Sequence, residues 1–251
     1  MDFFEIENLN SIRKITINNP RKRNALDREA YLALATLLNK AATDETVKCV
    51  VLTGKGDFYS SGNDLTQDFG NFSEDTGAAD EPLKLLVEAF IKFPKLLICL
   101  VNGPCIGIAA TTAALADIVY CSENAYFYTP FTALGLCAEG CSSYLFPSIM
   151  GSSKANELLM LNHKLSAREA YECQLVAHVY KNESEIWTKL TQIDKLPIGS
   201  IISNKKLIRR PMIEKLIKVN DDELKELQTR FESEEAIQAI INFQSAKKSK
   251  L

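Results

Sequence analysis

Phe58-Tyr59-Ser60-Ser61-Gly62-Asn63-Asp64-Leu65 is the stretch around which this chain is organised. It follows an apolar run, Val47-Lys48-Cys49-Val50-Val51-Leu52-Thr53, that reads as a buried strand ending in Gly54-Lys55-Gly56-Asp57. A strand that runs into a small, glycine-containing loop brings backbone N–H groups close to whatever binds there. Gly62 permits that approach and a φ that other residues resist. Taken alone, the pattern is by default an ordinary turn, so the rest of the chain has to decide.

Outward from this stretch, strands and helices alternate. Residues 3–6 and 12–17 read as short strands joined by the turn Asn8-Leu9-Asn10-Ser11. Asn24-Ala25-Leu26-Asp27 opens a helix with Asp27 as its N-cap, and Leu32, Leu34, Leu37 and Leu38 give that helix an apolar face. Residues 67–80 are polar and read as a mobile loop. A helix over 82–93 stops at Pro94, a buried strand follows over 96–101, and Asn102-Gly103-Pro104 makes a sharp turn. Residues 107–115 form a helix of small residues, which implies close packing of its start. Residues 117–121, 125–128 and 176–180 are strand-like. This alternation predicts an α/β fold with right-handed crossovers. From residue 142 the pattern is mostly helical, over 142–149, 153–161, 166–172, 183–195, 198–208, 212–231 and 234–246. We divide the chain into a core, 1–197, and a C-terminal helical region, 198–251, packing on the core or on a neighbouring subunit.

The bulk numbers are those of a globular domain: 251 residues, 46% hydrophobic, 24% charged, net charge −3. A nucleic-acid surface would need a basic excess that is absent. Local basic clusters, Arg21-Lys22-Arg23, Lys205-Lys206 and Arg209-Arg210, read as solvated faces, with an anionic ligand as the sharper alternative. Seven scattered cysteines without Cys-x-x-Cys, and two histidines distant from the Cys137/Cys141 pair, point away from a metal site and toward a reducing compartment. The opening residues, interrupted by Asp2 and Glu5, carry no secretory signal pattern. The longest apolar stretch, 106–115, is too short to span a bilayer. The last residues, Ser249-Lys250-Leu251, match a receptor-read peroxisomal address, which makes an import receptor an expected partner and the peroxisomal matrix the expected location.

Two glycine-bearing turns, Ser61-Gly62-Asn63 and Gly107-Ile108-Ala109, can each offer a backbone N–H, the second from a helix N-terminus. If they converge they make an oxyanion hole, in which one donor is typically worth about 3–4 kcal/mol of transition-state stabilisation. Neither His163 nor His178 neighbours a glycine-rich turn. Glu139 lies in Leu134-Gly135-Leu136-Cys137-Ala138-Glu139-Gly140-Cys141, a small and apolar surround that would raise its pKa toward the range of a general base. The alternative is an acid that caps the helix at 142–149. Asp117 and Asp64 read as structural hydrogen bonders. Ser60 and Ser61 have no neighbouring histidine, and no Gly-x-Ser-x-Gly, phosphate loop or dinucleotide fingerprint occurs.

Three of these segments together resemble the crotonase (enoyl-CoA hydratase/isomerase) superfamily. Phe58-Tyr-Ser-Ser-Gly-Asn-Asp-Leu65 resembles its first oxyanion motif. Asn102-Gly-Pro-Cys-Ile-Gly-Ile-Ala109, ending at Asp117-Ile-Val-Tyr120, resembles the second, and Asn19-Pro-Arg-Lys-Arg-Asn-Ala-Leu26 its CoA-contacting loop. The resemblance implies a spiral of ββα units with a helical C-terminal part, assembled as a homotrimer or dimer of trimers. It places the oxyanion donors on the N–H groups of Asn63 and Ile108, where the family more often has Ala and Gly. Lys22, Arg23 and Ala25 fall where the nucleotide end of CoA is met. Ser60, Ser61, Gly62, Asp64, Leu65, Gly107 and Phe131 complete the implied substrate site.

The departures bear on the reaction. The two glutamates of the hydratases correspond here to Thr111 and Phe131, neither of which can move a proton to carbon. Glu139 instead coincides with the single catalytic glutamate of the Δ3,Δ2-enoyl-CoA isomerases, and Pro130-Phe131…Glu139-Gly140-Cys141-Ser142-Ser143-Tyr144 looks like their peroxisomal branch. Some mammalian members of that branch carry an acyl-CoA-binding domain ahead of the isomerase, and none is read in these residues. The implied activity is the shift of a double bond in 3-enoyl-CoA without metal or redox cofactor. Another acyl-CoA reaction of the same family, or a silent acyl-CoA binder, remains the alternative.

Overall fold

The computed structural model describes residues 3–64 and 81–248. Leu65, the loop at 67–80 and the Ser249-Lys250-Leu251 ending therefore lie outside the described residues.

The chain builds two sheets by turns. The larger has six strands in the order β1 (Phe4–Leu9), β2 (Ile12–Ile17), β3 (Cys49–Gly54), β4 (Leu96–Val101), β6 (Ile118–Ser122) and β9 (His178–Tyr180). β1 and β2 form an antiparallel hairpin, turned by Asn10 at φ 52°. Every later neighbour is parallel. β3 is buried at all six positions, as a parallel strand covered on both faces should be. The smaller sheet has three strands, β5 (Cys105–Ile106), β7 (Tyr126–Tyr128) and β8 (Leu165–Ser166). After β4 each circuit of the chain leaves one strand in each sheet: β4 with β5, β6 with β7, β8 with β9. This is the expected α/β spiral.

Helices close the layers. α1 (Arg28–Thr43) starts where expected, with the Asp27 carboxylate accepting the Ala30 N–H at 2.9 Å. Leu34 and Leu38 are buried on it, but Leu32 is 41% exposed and stands outside the apolar face. α2 (Glu81–Lys92) packs against α1. α3 (Ile108–Ala113) is wholly buried, and only small side chains such as those of Ala109, Ala110 and Ala113 let it lie that deep. α4 (Ser142–Met150), α5 (Ser152–Met160) and α6 (Ala167–Glu172) follow. The expected helix at 166–172 begins one residue later, because Ser166 belongs to β8 and caps α6. The expected helix at 183–195 is α7 (Glu183–Leu190) followed by a tighter 3₁₀ turn, Thr191–Lys195.

Two expectations for the C-terminal part need correction. Residues 198–208 and 212–231 are one helix, α8 (Ile198–Phe231), with Pro211 inside it. Proline removes the amide that would bond the Leu207 carbonyl. Leu207 and Ile208 stand 72% and 68% exposed at that turn, so solvent can satisfy the freed group. Lys205 and Arg209 are not on a solvated face. Lys205 is 9% exposed and its Nζ donates to Asp117 Oδ2 at 2.6 Å and to the Lys95 carbonyl at 2.7 Å. Arg209 donates to Asp117 Oδ1 and to the carbonyls of Leu115 and Ala116. Asp117 also accepts the Leu97 N–H, which makes it the structural acceptor the sequence suggests. These contacts latch α8 to the chain between α3 and β6. Leu216, Leu224 and Leu227 of α8 join the main hydrophobic core, and α9 (Glu234–Lys248) ends the described chain.

Candidate active site

The glycine loop of the opening motif is held from three directions. Ser60 pairs with Cys105 of β5, its N–H donating to the Pro104 carbonyl at 3.2 Å and its carbonyl accepting the Ile106 N–H at 3.0 Å. Its hydroxyl is fully buried, donates to the Asn24 carbonyl at 2.7 Å and accepts the Gly62 N–H at 3.1 Å. The Ser60 oxygen is thus committed to shaping the turn. Ser61 donates its N–H to the Arg23 carbonyl at 2.9 Å and its hydroxyl to the Lys22 carbonyl at 3.3 Å.

Leu26 forms a parallel bridge with Asn63. The Leu26 N–H reaches the Gly62 carbonyl and the Leu26 carbonyl accepts the Asp64 N–H, both at 2.9 Å. In a parallel bridge the residue between the two bonds turns its own N–H to the opposite side. Among the described residues the Asn63 N–H has no acceptor.

The second glycine turn meets the first. Gly62 has φ +81°, and a Cβ placed on it would lie 2.6 Å from the Ile106 carbonyl oxygen and 3.5 Å from Gly107 Cα. Gly107, at φ 58° and ψ −129°, breaks the chain from β5 into α3. Its N–H donates to the Tyr128 carbonyl, and its own carbonyl accepts from Ala110 and Thr111. Ile108 is then the first residue of α3, where an N–H lacks an intrahelical partner. Among the described residues it also finds none. The two turns that the sequence marks separately are therefore in van der Waals contact.

The backbone beside Glu139 packs on the start of α3 from another part of the chain. The next residue, Gly140 (φ +63°), is so close to α3 that a Cβ there would fall 2.4 Å from Thr111 Oγ1 and 3.3 Å from Ile108 Cδ1. Glu139 itself is half-buried. The capping alternative for Glu139 does not hold. The N-cap position of α4 is Cys141, and the N–H groups of Cys141 and Ser143 are taken by the carboxylate of Glu223 at 2.6 and 2.8 Å. Thr111, fully buried, donates its hydroxyl to the Ile108 carbonyl at 3.1 Å, and Phe131 is buried.

The basic arm lies beside the first turn. Lys22 Nζ pairs with Asp64 at 2.6 Å, with Asp64 8% and Lys22 45% exposed at their side chains. Arg23 is in the left-handed region at φ 56°, and its guanidinium lies 5.3 Å from the Phe58 ring centroid, in cation–π range. Arg21, Lys22 and Arg23 are all exposed, and Ala25 is half-buried between them and Leu26. The histidines are elsewhere: His163 pairs with Glu169 at 3.0 Å, and His178 is in β9.

The enoyl-CoA hydratase/isomerase family pattern matches residues 7–250. The chain belongs to this family. Among curated relatives, Enoyl-CoA delta isomerase 2 of Rattus norvegicus is 46% identical over 246 residues, covering 94% of this chain and 62% of that protein. Enoyl-CoA delta isomerase 3, peroxisomal, of Mus musculus is 42% identical over 92% of this chain and 75% of that protein. The chain thus spans less than two thirds of the length of the rat relative. A crystal structure of an enoyl-CoA hydratase/isomerase from Pseudoalteromonas atlantica superposes with a TM-score of 0.89 at 31% identity, covering 98% of both chains.

Several residues of this family member carry the site without standing out in the sequence. Asn24, buried in the left-handed region, accepts the Asn19 N–H and donates to the carbonyls of Lys55 and Phe58, which ties the basic arm to the glycine loop. Asn102 accepts the Gly54 N–H and donates to the Gly56 carbonyl. Glu223 was legible only as an acid at a buried-face position, three residues past Asn220 and seven past Leu216. Arg230 donates to the Gly135 carbonyl at 2.8 Å, and Gly135 abuts Ala236 of α9. Both ends of the segment that carries Glu139 are thereby fixed to the C-terminal helices.

Proposed function

We propose that the chain is a Δ3,Δ2-enoyl-CoA isomerase acting through one base, Glu139. The observation that supports this most is the meeting of three segments: the Gly62 turn, the Gly107 turn and the Glu139–Gly140 turn converge around the start of α3. In this reading the thioester oxygen of a 3-enoyl-CoA accepts the N–H groups of Asn63 and Ile108. Glu139 takes a proton from C2. The C2–H electron pair passes into the thioester, giving a dienolate whose oxyanion rests on the two donors. The protonated Glu139 then delivers its proton to C4. The C3=C4 pair takes it up, C2=C3 forms, the carbonyl is restored, and the product is the trans-2-enoyl-CoA. No water is consumed, so a second acid–base group is unnecessary.

The surroundings favour this over hydration. The Thr111 hydroxyl is committed to a backbone carbonyl, and Phe131 offers no proton. Gly62, Gly107 and Asp64 shape the donor turns, with Leu65 next in the chain. The exposed Lys22, Arg23 and Ala25 region would meet the phosphates of CoA, to which guanidinium and ammonium groups bind with charge-assisted hydrogen bonds. We also propose that Ser249-Lys250-Leu251 directs the protein to the peroxisomal matrix through an import receptor, a reading supported by the mouse relative being a peroxisomal isomerase. We carry over assembly as a homotrimer or dimer of trimers from the family.

A spectrophotometric assay tests the reading. Purified protein should convert 3-hexenoyl-CoA to the 2-enoyl thioester and should not hydrate 2-hexenoyl-CoA. Hydration without isomerisation, or thioester hydrolysis with free CoA released, would replace this reading by another reaction of the family.

A further inference from the structure

The turn that carries Glu139 is unusual in its backbone. Gly140 and Cys141 both lie at φ +63°, and Cys141 adopts the left-handed conformation (ψ 13°) at a non-glycine residue. Such a turn persists only where its surroundings over-determine it. On the α4 side Ser142 closes the turn, its hydroxyl donating to the Glu139 carbonyl at 2.7 Å, and a carboxylate from α8 holds the amides on either side of Ser142. One oxygen of Glu223 accepts the Cys141 N–H at 2.6 Å and the other accepts the Ser143 N–H at 2.8 Å. The Cys141 thiol adds a bond to the Leu216 carbonyl, one α8 turn away from Asn220. Glu223 is 7% exposed, and among the described residues no lysine, arginine or histidine pairs with it. Burial raises its pKa, and the Ser143 and Cys141 hydrogen bonds work against that at the N-terminus of α4, a favourable place for an anion. Burial pushes the Cys137 thiol up to about 11, with the carboxylates of Glu226, Glu223 and Glu139 adding to the effect.

We infer that Glu223 is a positioning residue for the isomerisation: its carboxylate, bridging the Cys141 and Ser143 amides, sets the backbone turn from which Glu139 works. The inference rests on the isomerase reading above. It gives the C-terminal helix a role in the reaction itself, since α8 reaches the base through two hydrogen bonds to the residues just after it. The side-chain amide of glutamine has one acceptor oxygen, so Glu223→Gln sets an NH₂ donor against one of the two backbone N–H donors. The bridge is lost at unchanged size.

The test compares Glu223→Gln and Glu223→Asp with the wild type. kcat is measured on 3-hexenoyl-CoA, and Kd on hexanoyl-CoA, which has no double bond to move. Glu223→Gln should lower kcat at least tenfold while Kd for hexanoyl-CoA stays within threefold. Glu223→Asp keeps both acceptor oxygens on a shorter arm and should fall between it and the wild type. A kcat within twofold of the wild type in Glu223→Gln overturns the inference, as does a Kd that weakens in step with kcat. Should Glu223→Gln not fold, the same comparison of kcat with Kd on Glu223→Asp decides. A wild type that fails to isomerise 3-hexenoyl-CoA defeats the functional reading instead, so the two failures are told apart.

Discussion

Gly62 and Gly107 face one another at van der Waals distance: a Cβ built on Gly107 would stand 3.9 Å from Gly62 Cα. The two residues are far apart in the chain and belong to different strand-to-helix connections. Each is followed by a residue, Asn63 or Ile108, whose N–H has no protein acceptor among the described residues, and the proposed oxyanion hole uses both.

Gly62→Ala should be damaging in both stability and turnover. The residue sits at φ +81°, where a side chain costs about 1–2 kcal/mol on conformation alone. The added Cβ would also press to 2.6 Å on the Ile106 carbonyl oxygen, which is backbone and cannot swing aside. A lower melting temperature with a loss of at least about 10²-fold in kcat, the scale of losing an oxyanion donor, is the expected outcome. A variant with wild-type melting and turnover would show that the two turns need not meet closely.

Asn63→Ala should be mild. The proposed donor is the backbone N–H, which alanine keeps in place. The side chain contributes little that is visible, since Asn63 Oδ1 is buried without a partner among the described residues. Steady-state kinetics should give kcat/KM within about threefold of the wild type, a difference of about 0.7 kcal/mol. A loss beyond 10²-fold would mean that the side-chain amide itself contacts the substrate.

Lys205→Met tests the latch of α8. It removes one partner of a buried ion pair and leaves Asp117 with Arg209 and the Leu97 amide. Breaking such a pair from one side typically costs about 3–5 kcal/mol. Urea unfolding should show a loss toward the lower end of that range, because Arg209 still answers part of the charge. An unchanged midpoint would place the hold on α8 in its leucines rather than in this cluster.

Much of this was readable from local pattern. The β3 run is apolar and ended by Gly54 and Gly56, so its identity as a covered strand follows from the residues themselves. Asp27 announces the start of α1 in the same local way, and Glu139 stands out as an acid in an apolar, glycine-flanked stretch. What could not be read was non-local. Pro211 looks like a helix stop, but α8 continues because the lost hydrogen bond falls at an exposed turn. Lys205 and Arg209 look like surface charge until Asp117 is known to lie beneath them. Glu223 reads as one more acid of a charged helix, and its meaning depends on two amides more than 75 residues away. The convergence of the Gly62, Gly107 and Gly140 turns is likewise a product of the spiral and is written in no single segment.

The most direct measurement is the turnover of Glu139→Gln on 3-hexenoyl-CoA, taken together with its affinity for hexanoyl-CoA. Glutamine preserves the size of the side chain and removes its ability to take up a proton. Turnover should fall by at least about 10²-fold, the lower end for a general base, with affinity nearly unchanged. Near-normal turnover in this variant would contradict the one-base mechanism.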